Sequence, residues 1–449
     1  MKTKIIATYG PALNKPPVLS RAIKHVDIFR LNLSHGSEQS WLEYVGNIRK
    51  AAKSAHKEVA LLADLPGPKI RLGDIKGGSV ELHRGDHLKL AYGAYTSSAV
   101  PLEHDIHSYV KKGSVLSIGD GNINLAVERT SGKAIFCRAL GSGALLSRKG
   151  ISIRNGNVTA VPPTAEDVKL ARFAKRNDFD FIALSFVKSA DNVRLMRRKA
   201  PGAFIISKIE RAEAVREIDE ISRESDAIMV ARGDLAFDVK IEMVPIIQSR
   251  IIHSARRFSK PVIVATQMLA SMVENPMPTR AEVNDIATAV ASGADCLMLS
   301  EETAIGSYPV DALHTLSVTA RNAETVTPPQ PSFKISGISD SIAFAAAEIA
   351  DNYRTDCIFA PTQTGNTAMK LSALRPRSEI IALSRSEKVR RMLNIYHGIR
   401  SERINRYDTV DMMLREVRLL AARKGIGRYI VVSGSPNQAG GTNTLKYIE

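Results

Sequence analysis

The run Ala203-Phe204-Ile205-Ile206-Ser207-Lys208-Ile209-Glu210 is followed, after a helical stretch, by Asp226-Ala227-Ile228-Met229-Val230-Ala231-Arg232-Gly233-Asp234. Each is a near-continuous apolar strand that ends in charged residues. Strands apolar on both faces belong to a parallel sheet covered by helices. The same unit recurs on either side, with strands predicted at Asp180–Leu184, Pro261–Thr266 and Asp295–Ser300. The helix before the last strand opens at Thr279-Arg280-Ala281-Glu282, a capping box. It carries Val283, Ile286, Ala287 and Val290 at helical spacing and stops before Gly293. Another helix is predicted to start near Thr164 and Asp167.

Residues 1–71 supply three more strands, Lys4–Thr8, Asp27–Asn32 and Glu58–Asp64, with helices over Pro16–Lys24 and Glu38–Ala55. Three strands before and five after make eight βα units over roughly 250 residues, which predicts a TIM (β/α)8 barrel. Residues 72–152 interrupt it with short alternating stretches punctuated by glycine and no convincing helix, the pattern of a small inserted β domain. The barrel resumes over 153–330 and ends at the proline-rich Thr327-Pro328-Pro329-Gln330-Pro331-Ser332. Residues 331–449 start a fresh α/β pattern, with strands at Asp356–Ala360, Glu379–Leu383, Arg428–Ser433 and Thr444–Ile448, read as a doubly wound C-terminal domain.

Composition agrees with several globular domains. The 449 residues are 44% apolar and 24% charged, too long for one core and too apolar for disorder. No apolar run reaches the roughly 18 residues of a membrane helix. The start, Met1-Lys2-Thr3-Lys4, lacks the apolar stretch of a signal peptide. Cys137, Cys296 and Cys357 are far apart and form no CxxC, so a reducing cytoplasm is expected. The net charge of +16 attracts anions, but the basic residues are scattered and aromatics total 5%, which argues against nucleic acid. Phosphorylated small molecules remain.

Chemistry in such a barrel sits at the C-terminal strand ends. Here these carry Thr8; Arg30, Asn32 and Ser34; Asp64; Ser185 and Lys188; Lys208 and Glu210; Arg232 and Asp234; Thr266 and Gln267; Ser300 and Glu302. Strand ends are polar wherever they meet water, but that accounts poorly for all eight. In an extended chain Arg30, Asn32 and Ser34 share one face, as do Lys208 and Glu210, and Arg232 and Asp234. Glu210 and Asp234 fit a hard divalent cation, Mg²⁺ or Mn²⁺, completed by substrate oxygens and water. A plain salt-bridge network of Lys208, Glu210, Arg232 and Asp234 is the other reading. Arg30, Arg71, Lys149, Lys208 and Arg232 would add cations to the same pocket, which suits phosphoryl transfer. No Walker loop, kinase glycine loop or HRD motif is present.

The ordered motifs Thr3–Ala12, Phe29–Gly36, Asp64-Leu65-Pro66-Gly67-Pro68-Lys69-Ile70-Arg71, Ile206–Glu210, Met229–Leu235, Val264–Leu269, Pro278–Val283 and Met298–Ala304 resemble the pyruvate kinase family over essentially the whole chain. The resemblance implies phosphoryl transfer from phosphoenolpyruvate to ADP, the last step of glycolysis, with the inserted β domain as a lid. It implies that Lys208 and Arg30 bind the phosphoryl group and that Glu210 and Asp234 hold the metal. Thr266, with Ser300, would serve enolate protonation, and Ala231, Arg232 and Gly233 would bind the substrate carboxylate. Asn32, His35, Arg71 and Lys149 would contact the nucleotide. It also implies a homotetramer, no membrane or nucleic-acid partner, and a phosphorylated effector in the C-terminal domain, at Thr362, Thr364, Gly365, Asn366 and Thr367.

Four positions depart from the family's usual pattern. Glu301 stands where Gly is usual and places a carboxylate near Ser300; Ala236 replaces another Gly. Lys69 stands where K⁺-requiring members carry Glu, and Leu65 where they carry Thr. The family's K⁺ site maps to Asn32, Ser34, Asp64 and Leu65, so Lys69 is expected to stand in for the ion and K⁺ is expected not to be required. A metal-dependent pyruvate-enolate lyase or aldolase is the rival reading, though it has no use for Lys149, His35 or Arg71.

Overall fold

The computed structural model describes residues 1–449 except 69, 94–98, 104, 120–122, 155–160, 327–334, 406 and 435–440. Lys69 and the proline-rich stretch Thr327–Ser332 therefore lie outside the described residues. Eight parallel strands close into a barrel: Lys4–Thr8, Ile28–Asn32, Ala60–Asp64, Phe181–Leu184, Ile205–Ile209, Ala227–Ala231, Val262–Ala265 and Cys296–Leu299, each beside its predecessor and the last beside the first. The predicted capping box at Thr279–Glu282 forms, and the helix expected near Thr164 starts with one of its own, Thr164–Asp167.

Alternation along these strands separates two cores. Ile5, Ala7, Phe29, Leu31, Leu61 and Ala63 pack outward with the helices. Ile6, Ile28, Ala60, Leu62, Ile206 and Met229 fill the barrel interior. Thr8, Arg30, Asp64 and Lys208 share the parity of the interior set. The residues that start each strand inside the core thus end it inside the barrel mouth.

Four of the strands that start one residue later than predicted share a chemical cause. Asp27, Asp180, Asp226 and Asp295 lie just before their strands. Each backbone N–H donates to the carbonyl of Ile5, Leu61, Ile205 or Val262 on the neighbouring strand. Each side-chain Oδ2 accepts the N–H of that same neighbour, at 2.9, 2.9, 2.8 and 2.8 Å. These reciprocal pairs satisfy amides at the barrel floor that the sheet ladder leaves over.

Ile70–Arg71 is already a strand of a second sheet, of seven strands, which runs to Gly150–Arg154. It is flanked by the pair Ser79–Leu82 and Gly143–Leu146 and encloses its own apolar cluster. Among its described residues the helical content is one 3₁₀ turn, His107–Tyr109. Gly67 N–H donates to the buried Asp167 at 2.9 Å, which fastens the exit into this domain to the helix that follows its return.

The C-terminal sheet has five strands, in the order Ile399–Glu402, Glu379–Leu383, Cys357–Pro361, Tyr429–Gly434 and Thr442–Ile448, parallel except the last. Ile399–Glu402 was not expected. It is an edge strand, and Ile399 alone in Ile-Arg-Ser-Glu is apolar, so it lacks the alternation that marks a half-buried strand. The domain packs under the barrel floor: Cys296 Sγ meets the Ile395 carbonyl at 3.2 Å, and Arg375 pairs with Asp295 at 2.8 Å.

Candidate active site

Asp64, at the end of the third barrel strand, is the hinge of the site's charge. It is 2% exposed. Its Oδ2 accepts Arg30 Nε at 2.8 Å and Nη2 at 2.6 Å, and its Oδ1 faces Lys208 Nζ at 3.2 Å. Arg30 Nη1 also donates to Thr8 Oγ1 at 2.9 Å. Burial would raise the Asp64 carboxyl, but Lys208 and Arg30 outweigh it and hold it below the ordinary range.

Lys208 Nζ donates to Ser185 Oγ at 2.8 Å and lies 2.9 Å from Glu210 Oε1. Ser185 Oγ in turn donates to the Leu65 carbonyl at 2.7 Å. Burial disfavours the Lys208 charge, yet Asp64, Glu210 and Asp234 more than offset it, so the ammonium is held charged. Glu210 is 1% exposed and accepts Phe186 N–H at 2.6 Å through Oε2. Its Oε1 faces the Lys208 ammonium and meets no other donor among the described residues. Burial first, and Asp234 in addition, push its carboxyl up despite Lys208. A buried carboxylate oxygen whose near neighbour is an ammonium, beside a second carboxylate, is a donor set that suits a hard cation. No group of three His, Cys, Asp or Glu is assembled for a metal among the described residues, so substrate and water must supply the remaining oxygens.

The extended reading of Arg232–Asp234 is overturned. The sixth strand ends at Ala231, and Arg232–Asp238 is a short helix. Asp234 stays half-buried at the mouth, where its charge reaches Glu210 and Lys208. Arg232 instead turns to the next strand's end. It pairs with Asp285 at 2.5 Å and donates to the carbonyls of Thr266 at 2.7 Å and Gln267 at 3.3 Å. Gly233 N–H donates to Thr266 Oγ1 at 2.8 Å. Thr266 and Gln267 both have positive φ, +68° and +53°, uncommon for a β-branched residue and costly unless held. The extended reading also fails at Ser34, which lies in the turn after Asn32; Ser34 N–H donates to Asn32 Oδ1 at 3.1 Å.

Glu301 is exposed and begins a short helix. The carboxylate beside Ser300 belongs to the buried Glu302, whose Oε2 accepts Ser300 N–H at 2.7 Å and Oε1 accepts Leu269 N–H at 3.1 Å. Glu302 was visible only as a polar strand end; nothing in the spacing marks it as the brace between two strand ends. Ser185, likewise noted only as a strand end, is the hydroxyl that seats Lys208.

Arg71 and Lys149 come together at the edge of the inserted domain, where Gly150 pairs with Arg71 and Leu72 N–H donates to the Lys149 carbonyl at 2.9 Å. His35 is exposed on the turn after the second strand. Among the described contacts these do not touch Lys208 or Glu210. Thr362, Gly365 and Thr367 lie in the C-terminal domain. Thr362 Oγ1 accepts Gly365 N–H at 2.9 Å, and Thr367 Oγ1 bonds Thr442 Oγ1 at 2.8 Å. Gly365 itself, at φ +91°, caps the helix Asn366–Leu374 without a side-chain bond, and Thr364 is exposed.

The chain matches the family described as pyruvate kinase, barrel domain, over residues 1–313 and that described as pyruvate kinase, alpha/beta domain, over residues 340–448. A pyruvate kinase of Agrobacterium vitis is 36% identical over 100% of this chain and 96% of its own length. One of Thermococcus litoralis is 35% identical over 100% and 98%, and one of Thermotoga maritima 33% over 100% and 99%. With a closed parallel barrel, an inserted β domain and a cation-rich mouth built on two carboxylates, the chain belongs to the pyruvate kinase family, whose reaction moves a phosphoryl group between phosphoenolpyruvate and ADP.

Proposed function

We propose that this chain transfers the phosphoryl group of phosphoenolpyruvate to ADP with Lys208 and Arg30 as its catalytic cations. The observation that carries the reading is the single buried carboxylate, Asp64, that holds both. Such transfer needs positioning and charge neutralisation more than covalent help. Arg30 and Lys208 are preorganised at the barrel mouth, so neither reorients as charge builds on the phosphoryl oxygens. Lys208 also lies where it can offset the enolate. Glu210 and Asp234 would hold Mg²⁺ or Mn²⁺, which when bound supplies further positive charge to the phosphoryl and enolate oxygens. Thr266, with Ser300 on the neighbouring strand end, would hold and pass the proton for the enolate carbon. The Ala231–Gly233 backbone would take the substrate carboxylate. Asn32, His35, Arg71 and Lys149 would bind the nucleotide, the last two from the lid's edge as it closes and excludes water. A coupled assay with phosphoenolpyruvate, ADP and Mg²⁺ tests the reading; no ATP formed overturns it.

K⁺ independence is part of the same reading. Asp64 is already neutralised by two fixed cations, and Lys69 adds a third positive group to the segment that follows it. In the C-terminal domain, the exposed Thr364 and the start of Asn366–Leu374 would bind a phosphorylated effector; calorimetry with sugar phosphates and nucleoside monophosphates, repeated on Thr364→Ala, tests this. Assembly into a homotetramer belongs to the same reading; Ile241, Ile246 and Ile338 are exposed apolar residues that subunit contacts would cover, and sedimentation checks it. No helix among the described residues is long and apolar enough to cross a membrane.

A further inference from the structure

Arg256 is the last but one residue of the helix Val244–Arg257, at the barrel floor. Its Nη2 is buried and has no hydrogen-bond partner among the described residues. The guanidinium lies against Gly293, where a Cβ would come within 2.5 Å of Nη1; the φ of +97° at Gly293 also favours glycine. It borders a cavity of about 20 Å³ between the floor and the C-terminal domain, lined also by Lys260, Asp295, Arg375 and Tyr396.

The charges there do not balance. Asp295 is the one carboxylate lining the cavity, and both its oxygens are spoken for. Oδ1 accepts Arg375 Nη2 at 2.8 Å and Oδ2 accepts Val262 N–H at 2.8 Å. Lys260 has acidic neighbours in Asp226 and Glu224, but Asp226 is already paired with Arg197 at 3.0 Å. Arg256 is left with no carboxylate of its own. Burial, and then the charge of Arg375, push its guanidinium down to about 10.

We propose that this cavity is a binding site for one small monoatomic anion of chloride size, held by Arg256 from the barrel and Arg375 from the C-terminal domain. The space beside Nη2 admits about one water-sized sphere, for which roughly 10–15 Å³ suffices, so a single small ion fits there without the lining side chains moving. A water would satisfy the Nη2 hydrogen but add no negative charge beside the half-buried guanidinium; a halide does both. The anion touches both domains, so it pins one to the other, away from the catalytic mouth.

Two measurements test it. Crystals of the wild-type protein soaked in bromide should show an anomalous peak in contact with Arg256 Nη2; a water there, with no bromide peak, overturns the proposal. In thermal unfolding at constant ionic strength, replacing sodium gluconate by sodium chloride should raise Tm by about 2–4 °C once the site is well filled. Arg256→Met should abolish that chloride-dependent rise, and Arg256→Lys should keep part of it. An equal rise in Arg256→Met would place the halide elsewhere and defeat the assignment. The bromide measurement needs no variant, so a poorly folding Arg256→Met leaves the proposal open to refutation.

Discussion

Arg232 Nη2 donates to the Thr266 carbonyl at 2.7 Å while Nη1 is anchored on Asp285 at 2.5 Å. Thr266 is thereby held in a left-handed backbone conformation, φ +68°, that a β-branched residue rarely adopts. The guanidinium fork makes Arg232 a positioning residue for Thr266, whatever the substrate does at the neighbouring backbone.

Arg232→Lys keeps the charge and loses the fork. Relaxation of the Thr266 turn should lower kcat by about 10²-fold, the scale of an ångström's misplacement, with a smaller change in KM for phosphoenolpyruvate. Steady-state kinetics decide it. A kcat equal to wild type would show that the turn holds itself.

Lys208→Met should reduce kcat by at least about 10³-fold, since one preorganised donor commonly contributes 10²–10³ and this one is fully charged. ADP affinity should barely move. The variant should also lose stability, toward the lower end of the ~3–5 kcal/mol expected for a broken buried ion pair, because Arg30 still serves Asp64 while Glu210 loses its partner. Wild-type-like turnover would remove Lys208 from the mechanism.

How far the sequence speaks for itself can be judged residue by residue. Arg30, Asp64 and Lys208 are legible because they lie near the ends of strands whose alternation fixes which way they point, and Glu210, one residue past its strand, still faces Lys208. Arg232 and Ser34 are misread because the alternation argument was carried past the strand's last residue, where backbone dihedrals change. Glu302 and Ser185 escape notice as braces because their partners come from other strands, and one sequence does not show which strand ends meet. The strand Ile399–Glu402 hides because an edge strand buries little. Asp27, Asp180, Asp226 and Asp295 look like strand residues, but their side chains do the work of a ladder carbonyl.

Asp64 sets a pH signature. Its folded pKa is depressed below the ordinary 3.8, so its contribution to stability is complete above that value and is lost as pH falls through the folded pKa. The stability gap between wild type and Asp64→Asn should be constant above about pH 5 and narrow on acidification. Denaturation midpoints from pH 6 downward, in roughly half-unit steps, measure it. A gap that widens in acid contradicts the sign.

Initial rates against KCl, in buffer free of K⁺ and NH₄⁺ and with ionic strength held by a tetraalkylammonium salt, test K⁺ independence. Activity with Mg²⁺ alone should be near maximal, and a rise of about tenfold or more with K⁺ would defeat the reading. Lys69→Glu should lose most activity without K⁺ and regain part of it when K⁺ is added.

The floor of the barrel offers the last test, at Arg391 and Asp180. Arg391 belongs to the C-terminal helix Glu387–Met392, and its side chain is 5% exposed. Its Nε donates to Asp180 Oδ1 at 2.9 Å and its Nη2 to Asp178 Oδ2 at 2.7 Å. The other oxygen of Asp180 accepts Leu61 N–H, and Arg49 Nη2 stands 3.5 Å away. One carboxylate thus joins two barrel strands to the neighbouring domain. Burial already raises the Asp180 carboxyl, with Arg391 as the main restraint. Arg391→Met removes that restraint and leaves a buried charge with only Arg49 nearby, a loss of about 3–5 kcal/mol at most. Asp180→Asn on top of it removes the stranded charge while an amide oxygen can still accept Leu61 N–H. The double variant should therefore be more stable than the sum of the single losses predicts, by about 0.5–3 kcal/mol. Additive losses would mean that the two residues act independently across the floor.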